Sequence, residues 1–169
     1  VAYLIAAPDD PAAAGAAVAV LESRALGQDW KFGADGAPIP VSQKEAAMES
    51  IIRSVRANGE PGEDLLAYLH ETHRSGFQRM VIFAPPRSGV WIDRVIEASS
   101  QLEVQVLLCL DGVQNTSAFA SWMHLVLQPE ASLPPAVVDK KELDDCLERL
   151  YSSNVDVYIA DRCSGGVIS

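Results

Sequence analysis

Three thiols offer the most direct chemistry in this chain, and their settings differ. Cys109 lies inside the apolar run 104–110 (VQVLLCL). Cys146 falls on a helical stripe with Leu143, Leu147 and Leu150, spaced i, i+3, i+4 and i+7. Both patterns predict burial, where cysteine behaves as a small inert hydrophobe. Cys163 follows the run 155–160 (VDVYIA), has Arg162 beside it and precedes Ser164-Gly165-Gly166. A thiol on a loop past a strand end is accessible, and an adjacent cation and loop amides favour the nucleophilic thiolate form. Cys163 and Arg162 are the candidate catalytic residues.

A second candidate is the turn Ala84-Pro85-Pro86-Arg87-Ser88-Gly89, between a predicted strand and a predicted helix. Backbone N–H groups at a helix start, with Arg87, Ser88 and Gly89 beside them, suit an anion. The bland alternative is a tight turn in which Ser88 caps the helix. The pair His70 and His73, at i, i+3 on a helix, has a spacing that can ligate a metal. It lacks an HExxH pattern and a third ligand, so a solvated role is expected and no metal is assigned. Glu142, Asp144, Asp145 and Glu148 lie opposite an apolar stripe and read as a solvated helix face.

The elements that must position these groups alternate. Apolar runs at 1–7, 79–84, 104–110 and 155–160 predict buried strands. Helical patterns cover 11–26, 42–57, 63–75, 90–99 and 139–152. Ser42 followed by Glu45 suggests a capping box. Residues 28–40 (QDWKFGADGAPIP) are rich in Gly and Pro and predict a loop. The alternation predicts an α/β three-layer sandwich with a mainly parallel central sheet. Right-handed crossovers then bring the strands' C-terminal loops to one edge, the ligand edge of such folds.

The 169 residues suit one domain, in which 1–78 forms an additional β-α-α-α segment. The formal net charge of −10, with no clustered basic run, argues against nucleic acid as a partner. No apolar run reaches membrane-spanning length, three cysteines do not make a disulfide framework, and a cytoplasmic location is expected.

Three stretches of the C-terminal part resemble the DsrE/DsrF/DsrH family of sulfur-relay proteins, which includes the TusB, TusC and TusD subunits. Residues 80–89 (MVIFAPPRSG) are similar to the family's opening strand and loop. Residues 104–113 (VQVLLCLDGV) resemble its second strand, which ends in Asp-Gly-Val, matched here by Asp111, Gly112 and Val113. Residues 143–167 resemble its next helix, its V-x-V-Y strand and the loop after it. The family's carrier cysteine, at the strand end, corresponds to Ala160, and Cys163 lies three residues on. The resemblance implies a homo- or hetero-oligomer, a sulfur-donor or acceptor protein as partner, no cofactor, and a persulfide carried on Cys163. Arg87, Ser88, Gly89, Asp111 and Gly112 are the candidate ligand-binding residues. Trp122, Met123, Leu125, Val126 and Leu127 form an apolar stretch expected in the core or an interface.

Overall fold

A computed structural model describes residues 1–5, 11–26, 29–114, 137–153 and 155–168. The strands are β1 (Ala2–Leu4), β2 (Phe32–Ala34), β3 (Ala37–Val41), β4 (Arg79–Ala84), β5 (Glu103–Leu110), β6 (Val113–Gln114), β7 (Val138–Asp139), β8 (Asp156–Asp161) and β9 (Gly166–Ile168). The described helices are α1 (Pro11–Leu21), α2 (Lys44–Val55), α3 (Leu65–Arg74), α4 (Val90–Ser99) and α5 (Lys140–Tyr151). A short 3-10 turn, Ser23–Leu26, follows α1.

Among the described residues, seven strands form one sheet in the order β3-β2-β1-β4-β5-β8-β9. The five central strands are parallel, and only the edge strands β3 and β9 run antiparallel to their neighbours. Taken in chain order, the parallel strands lie second-first-third-fourth-fifth, one of the two common orders of doubly wound sheets. β6 and β7 make a separate small parallel pair.

Alternate residues of each strand face opposite layers. Val104, Val106, Leu108 and Leu110 of β5 join Leu65, Leu69, Trp91, Val95, Leu143 and Leu150 in the core under α3, α4 and α5. Cys109 joins Leu4, Phe83, Ala16, Val20 and Ile51 in the core under α1 and α2. Helices on both faces make the three-layer sandwich that the alternation predicts. Among the described residues no helix is long and apolar enough to cross a membrane.

Two local expectations are corrected. The stretch 28–40 is not a loop, because it contains β2 and most of β3. Phe32 is fully buried and pairs in register with Ala2 of β1, and Asp35-Gly36 turns the chain, with Gly36 at φ 76°. Asp-Gly between two extended runs is a hairpin signal. Pro38 and Pro40 are tolerated because β3 is an edge strand with a side that need not donate to a ladder. The segment 1–78 therefore contributes three strands rather than one. The second correction concerns α2, which starts from Gln43 without a side-chain cap, so Ser42 and Glu45 form no capping box.

The N-terminal half of the sheet is tied by a buried polar network. The Tyr3 hydroxyl donates to Asp35 Oδ1 at 2.6 Å, and the Gly62 amide donates to Oδ2 at 2.6 Å. The Tyr68 hydroxyl donates to the Ala2 carbonyl at 2.8 Å, and its ring packs 5.0 Å from that of Tyr3. Burial, then the Asp35 carboxylate, pushes the Tyr3 phenol well above its usual range. Burial likewise raises Tyr68.

Candidate functional site

Because β4, β5 and β8 are adjacent and parallel, the loops after them leave the same edge of the sheet. These are the loops that carry Arg87–Gly89, Asp111–Gly112 and Arg162–Cys163. Register decides which of these residues meet. Leu110 pairs with Asp161, so the next residues on each strand, Asp111 and Arg162, stand side by side. The Arg162 amide continues the ladder to the Leu110 carbonyl at 3.0 Å. Its guanidinium then closes a two-pronged pair on Asp111, with Nε to Oδ1 at 2.7 Å and Nη2 to Oδ2 at 2.5 Å. Asp111 is buried, while the Arg162 side chain is 60% exposed. A carboxylate taken out of water at a strand end needs such a partner.

Cys163 sits in the turn 162–165 that joins β8 to β9. Its amide donates to Asp161 Oδ1 at 2.9 Å, and the Gly165 amide returns to the Asp161 carbonyl at 2.9 Å. Gly165 closes the turn at φ 69°, a conformation that favours glycine. The loop after β8 is thus a tight hairpin end with the thiol exposed on it. Arg162, expected from its adjacency to favour the thiolate, also serves Asp111 with two of its nitrogens. The Cys163 amide is likewise occupied, by a carboxylate.

The other two thiols are buried, as their patterns predict. Burial pushes Cys146 up to about 12. Cys109 lies under α1, where a Cβ added to Gly15 would stand 2.9 Å from its sulfur, so Gly15 permits the close approach of helix and strand.

The turn after β4 is separate. The Arg87 amide donates to the Pro85 carbonyl at 2.8 Å, and Trp91 Nε1 donates to the Arg87 carbonyl at 2.9 Å. Arg87 and Ser88 are exposed. Gly89 holds the N-cap position of α4 with no side-chain cap, so Ser88 does not cap the helix. Gly112, at φ 96°, leads from β5 into β6. His70 and His73 are exposed on α3, and no metal-holding group of three or more His, Cys, Asp or Glu occurs among the described residues. The stretch around Trp122 lies outside the described residues.

A groove of about 550 Å³ runs beside the Cys163 turn. Its walls are α1 (Ala14, Val18) and the sheet (Leu107, Ala160), with Arg162 and Gly165 at one end. A hollow of about 680 Å³ around Trp30 and Arg79 lies at the opposite edge, where strands such as β4 begin. Parallel sheets bind ligands at their C-terminal edge, which favours the groove despite its smaller volume. Sequence reasoning missed both the groove and Asp161. An Asp two residues before Cys163 is an Asx-turn signal that could have located the hairpin. No family model matches the chain, and no curated protein or solved structure matches it.

Proposed function

We propose that this chain is a sulfur-relay protein of DsrE-like type, in which Cys163 accepts sulfane sulfur as a persulfide and passes it to a partner thiol. One observation carries the reading. Of three thiols, Cys163 alone is exposed, and it stands at the C-terminal edge on a turn anchored by the Asp111–Arg162 pair. The stretches that resemble the family lie on neighbouring strands β4, β5 and β8, so their loops share one edge, which adds support.

The transfer is a simple displacement. The Cys163 thiolate attacks the outer sulfur of a donor persulfide, R–S–SH. A new S–S bond forms, the donor's S–S bond breaks, and R–S⁻ leaves with the electron pair. The proton stays on the transferred sulfur, giving Cys–S–SH. Delivery repeats the step with the acceptor thiolate attacking the outer sulfur and Cys163 leaving. No net oxidant or reductant is consumed. The exposed turn lets a second protein reach the thiol, while Asp111 holds its anchor in place.

Incubation with a persulfide donor followed by mass spectrometry tests the reading. One added sulfur is expected on the peptide containing Cys163, with none in Cys163→Ser. Equal sulfur gain in Cys163→Ser would falsify the carrier role and favour a non-catalytic interaction module of the same fold.

A further inference from the structure

The linker between α2 and α3 contains Asn58-Gly59, and the fold leaves this pair open. The last bonds of α2 run from the amides of Arg56 and Ala57 to the carbonyls of Arg53 and Ser54. Amide bonding resumes only where Gly62 donates to Asp35 and Glu63 donates to the Glu60 carbonyl. Between them the amides of Asn58, Gly59 and Glu60 donate to no partner among the described residues, and Pro61 has no amide hydrogen. Asn58, Gly59 and Glu60 are all exposed. An exposed backbone without hydrogen bonds opens at little cost. A glycine after asparagine also leaves its own nitrogen uncrowded and its backbone permissive. The chain's other asparagines, Asn115 and Asn154, precede Thr116 and Val155, whose branched side chains are stiff and crowd the nitrogen.

We infer that Asn58 is a site of spontaneous covalent modification, at which the chain converts its own asparagine to isoaspartate and aspartate through a succinimide. The Gly59 backbone nitrogen attacks the side-chain carbonyl carbon of Asn58. A new C–N bond closes an imide ring, the bond from that carbon to Nδ2 breaks, and ammonia leaves with the proton of the Gly59 amide. Water then opens the ring. Opening at the side-chain carbonyl gives aspartate. Opening at the backbone carbonyl gives isoaspartate, whose main chain runs through the side chain and is longer by a methylene. Water is the sole co-reactant, and nothing is oxidised or reduced. The change falls where the fold tolerates it badly. Asn58 lines a hollow of about 260 Å³ together with Asp35, Glu60, Glu63 and Asp64, and no Lys or Arg lines it among the described residues. Either product adds a negative charge to these carboxylates, which repel it. Asp35 accepts from Tyr3 and Gly62, and Asp64 Oδ2 accepts from the Gly36 amide at 2.8 Å, so the same hollow holds the bonds that tie the linker to the β2–β3 turn. Conversion therefore weakens this flank of the sheet as the protein ages. It lies outside the DsrE-like segment and does not depend on sulfur transfer by Cys163.

Peptide mass spectrometry on the full chain, aged at mildly alkaline pH, tests this. Loss of the amide should appear at Asn58 roughly tenfold faster than at Asn115 or Asn154. The native chain should convert at Asn58 within about tenfold of the rate in urea, because the fold lays nothing over the pair. Gly59→Ala should slow conversion roughly tenfold. A Cβ there meets only the Glu63 carboxylate, 2.8 Å away at the end of a flexible side chain, so the fold accepts the change. The aged wild-type chain should unfold at a lower urea concentration than the fresh chain, while Gly59→Ala aged in parallel keeps its midpoint. Conversion at Asn115 or Asn154 ahead of Asn58 overturns the inference. So does native conversion slower than in urea by more than about tenfold, which would mean that the fold protects the pair. An aged wild-type chain with an unchanged midpoint overturns the weakening of this flank.

Discussion

The two flanks of the sheet are finished differently on either side of β4. On the β1-β2-β3 side, polar groups are turned inward. Tyr3 and Gly62 both donate to Asp35, and Tyr68 donates to the backbone of β1. On the β5-β8-β9 side, the polar and reactive groups gather at the rim. Asp111 is buried but its arginine reaches solvent, Cys163 is exposed, and the groove beside α1 stays open. Strand adjacency alone did not require this. The first flank spends its polar groups on holding the hairpin 32–41 and the loop at Gly62, whereas the second leaves them where another molecule can touch them.

If that contrast is sound, substitutions on the first flank should cost stability and those on the second should mainly cost contact. The largest effect is expected for Asp35→Ala. It removes the acceptor for Tyr3 and Gly62, leaving a buried hydroxyl and amide unserved, and should destabilise the fold by about 2–4 kcal/mol in urea unfolding. Equal stability of variant and wild type would show that the inward network is not what holds this flank.

Alkaline pH probes burial on both flanks. Cys146 has its folded pKa raised by burial from the ordinary 9.0 to about 12. Below pH 9 the thiol is protonated folded and unfolded, and the full stability is present. Above it the unfolded chain ionises first, so stability falls by roughly 1.4 kcal/mol per pH unit until the folded thiol ionises. Tyr3 and Tyr68, raised in the same direction, steepen the loss at higher pH. Cys146→Ala should lower stability at neutral pH yet make the decline above pH 9 shallower. An unchanged slope would mean that this thiol is not the titrating group.

The Asp111–Arg162 pair should respond asymmetrically. Arg162→Ala leaves a buried carboxylate without its main partner and should cost about 1–2 kcal/mol, since the pair is partly screened. Asp111→Ala leaves only an exposed cation and should cost less. The reverse order, read from chemical denaturation, would mean that Arg162 rather than Asp111 needs the pair. Ser54 offers a smaller test, because its buried hydroxyl has no hydrogen-bond partner among the described residues. Ser54→Ala should raise stability by up to about 1 kcal/mol, seen as a higher Tm. The smallest effect is expected at the exposed Cys163, where substitution by serine should change stability by less than about 0.5 kcal/mol while removing persulfide formation.

The apolar runs and helical stripes were enough to read four of the five central parallel strands and five helical segments, because buried strands and amphipathic helices impose their periods on the residues locally. They also separated Cys109 and Cys146 from Cys163, since burial of a thiol follows from the pattern of its neighbours. Residues 28–40 were misread because Gly and Pro content outweighed the Asp35-Gly36 turn, and an edge strand tolerates the prolines that a central strand would reject. What the sequence by itself determined is therefore β1, β4, β5 and β8, the five described helices and which thiol is accessible. Only the tertiary structure decided that Asp111 and Arg162 meet, because they are 51 residues apart and are joined solely by the parallel register of β5 and β8. It likewise decided that α1, apolar on every side, covers one part of the sheet and leaves the next part open, since local periodicity does not specify which neighbour a helix face will find.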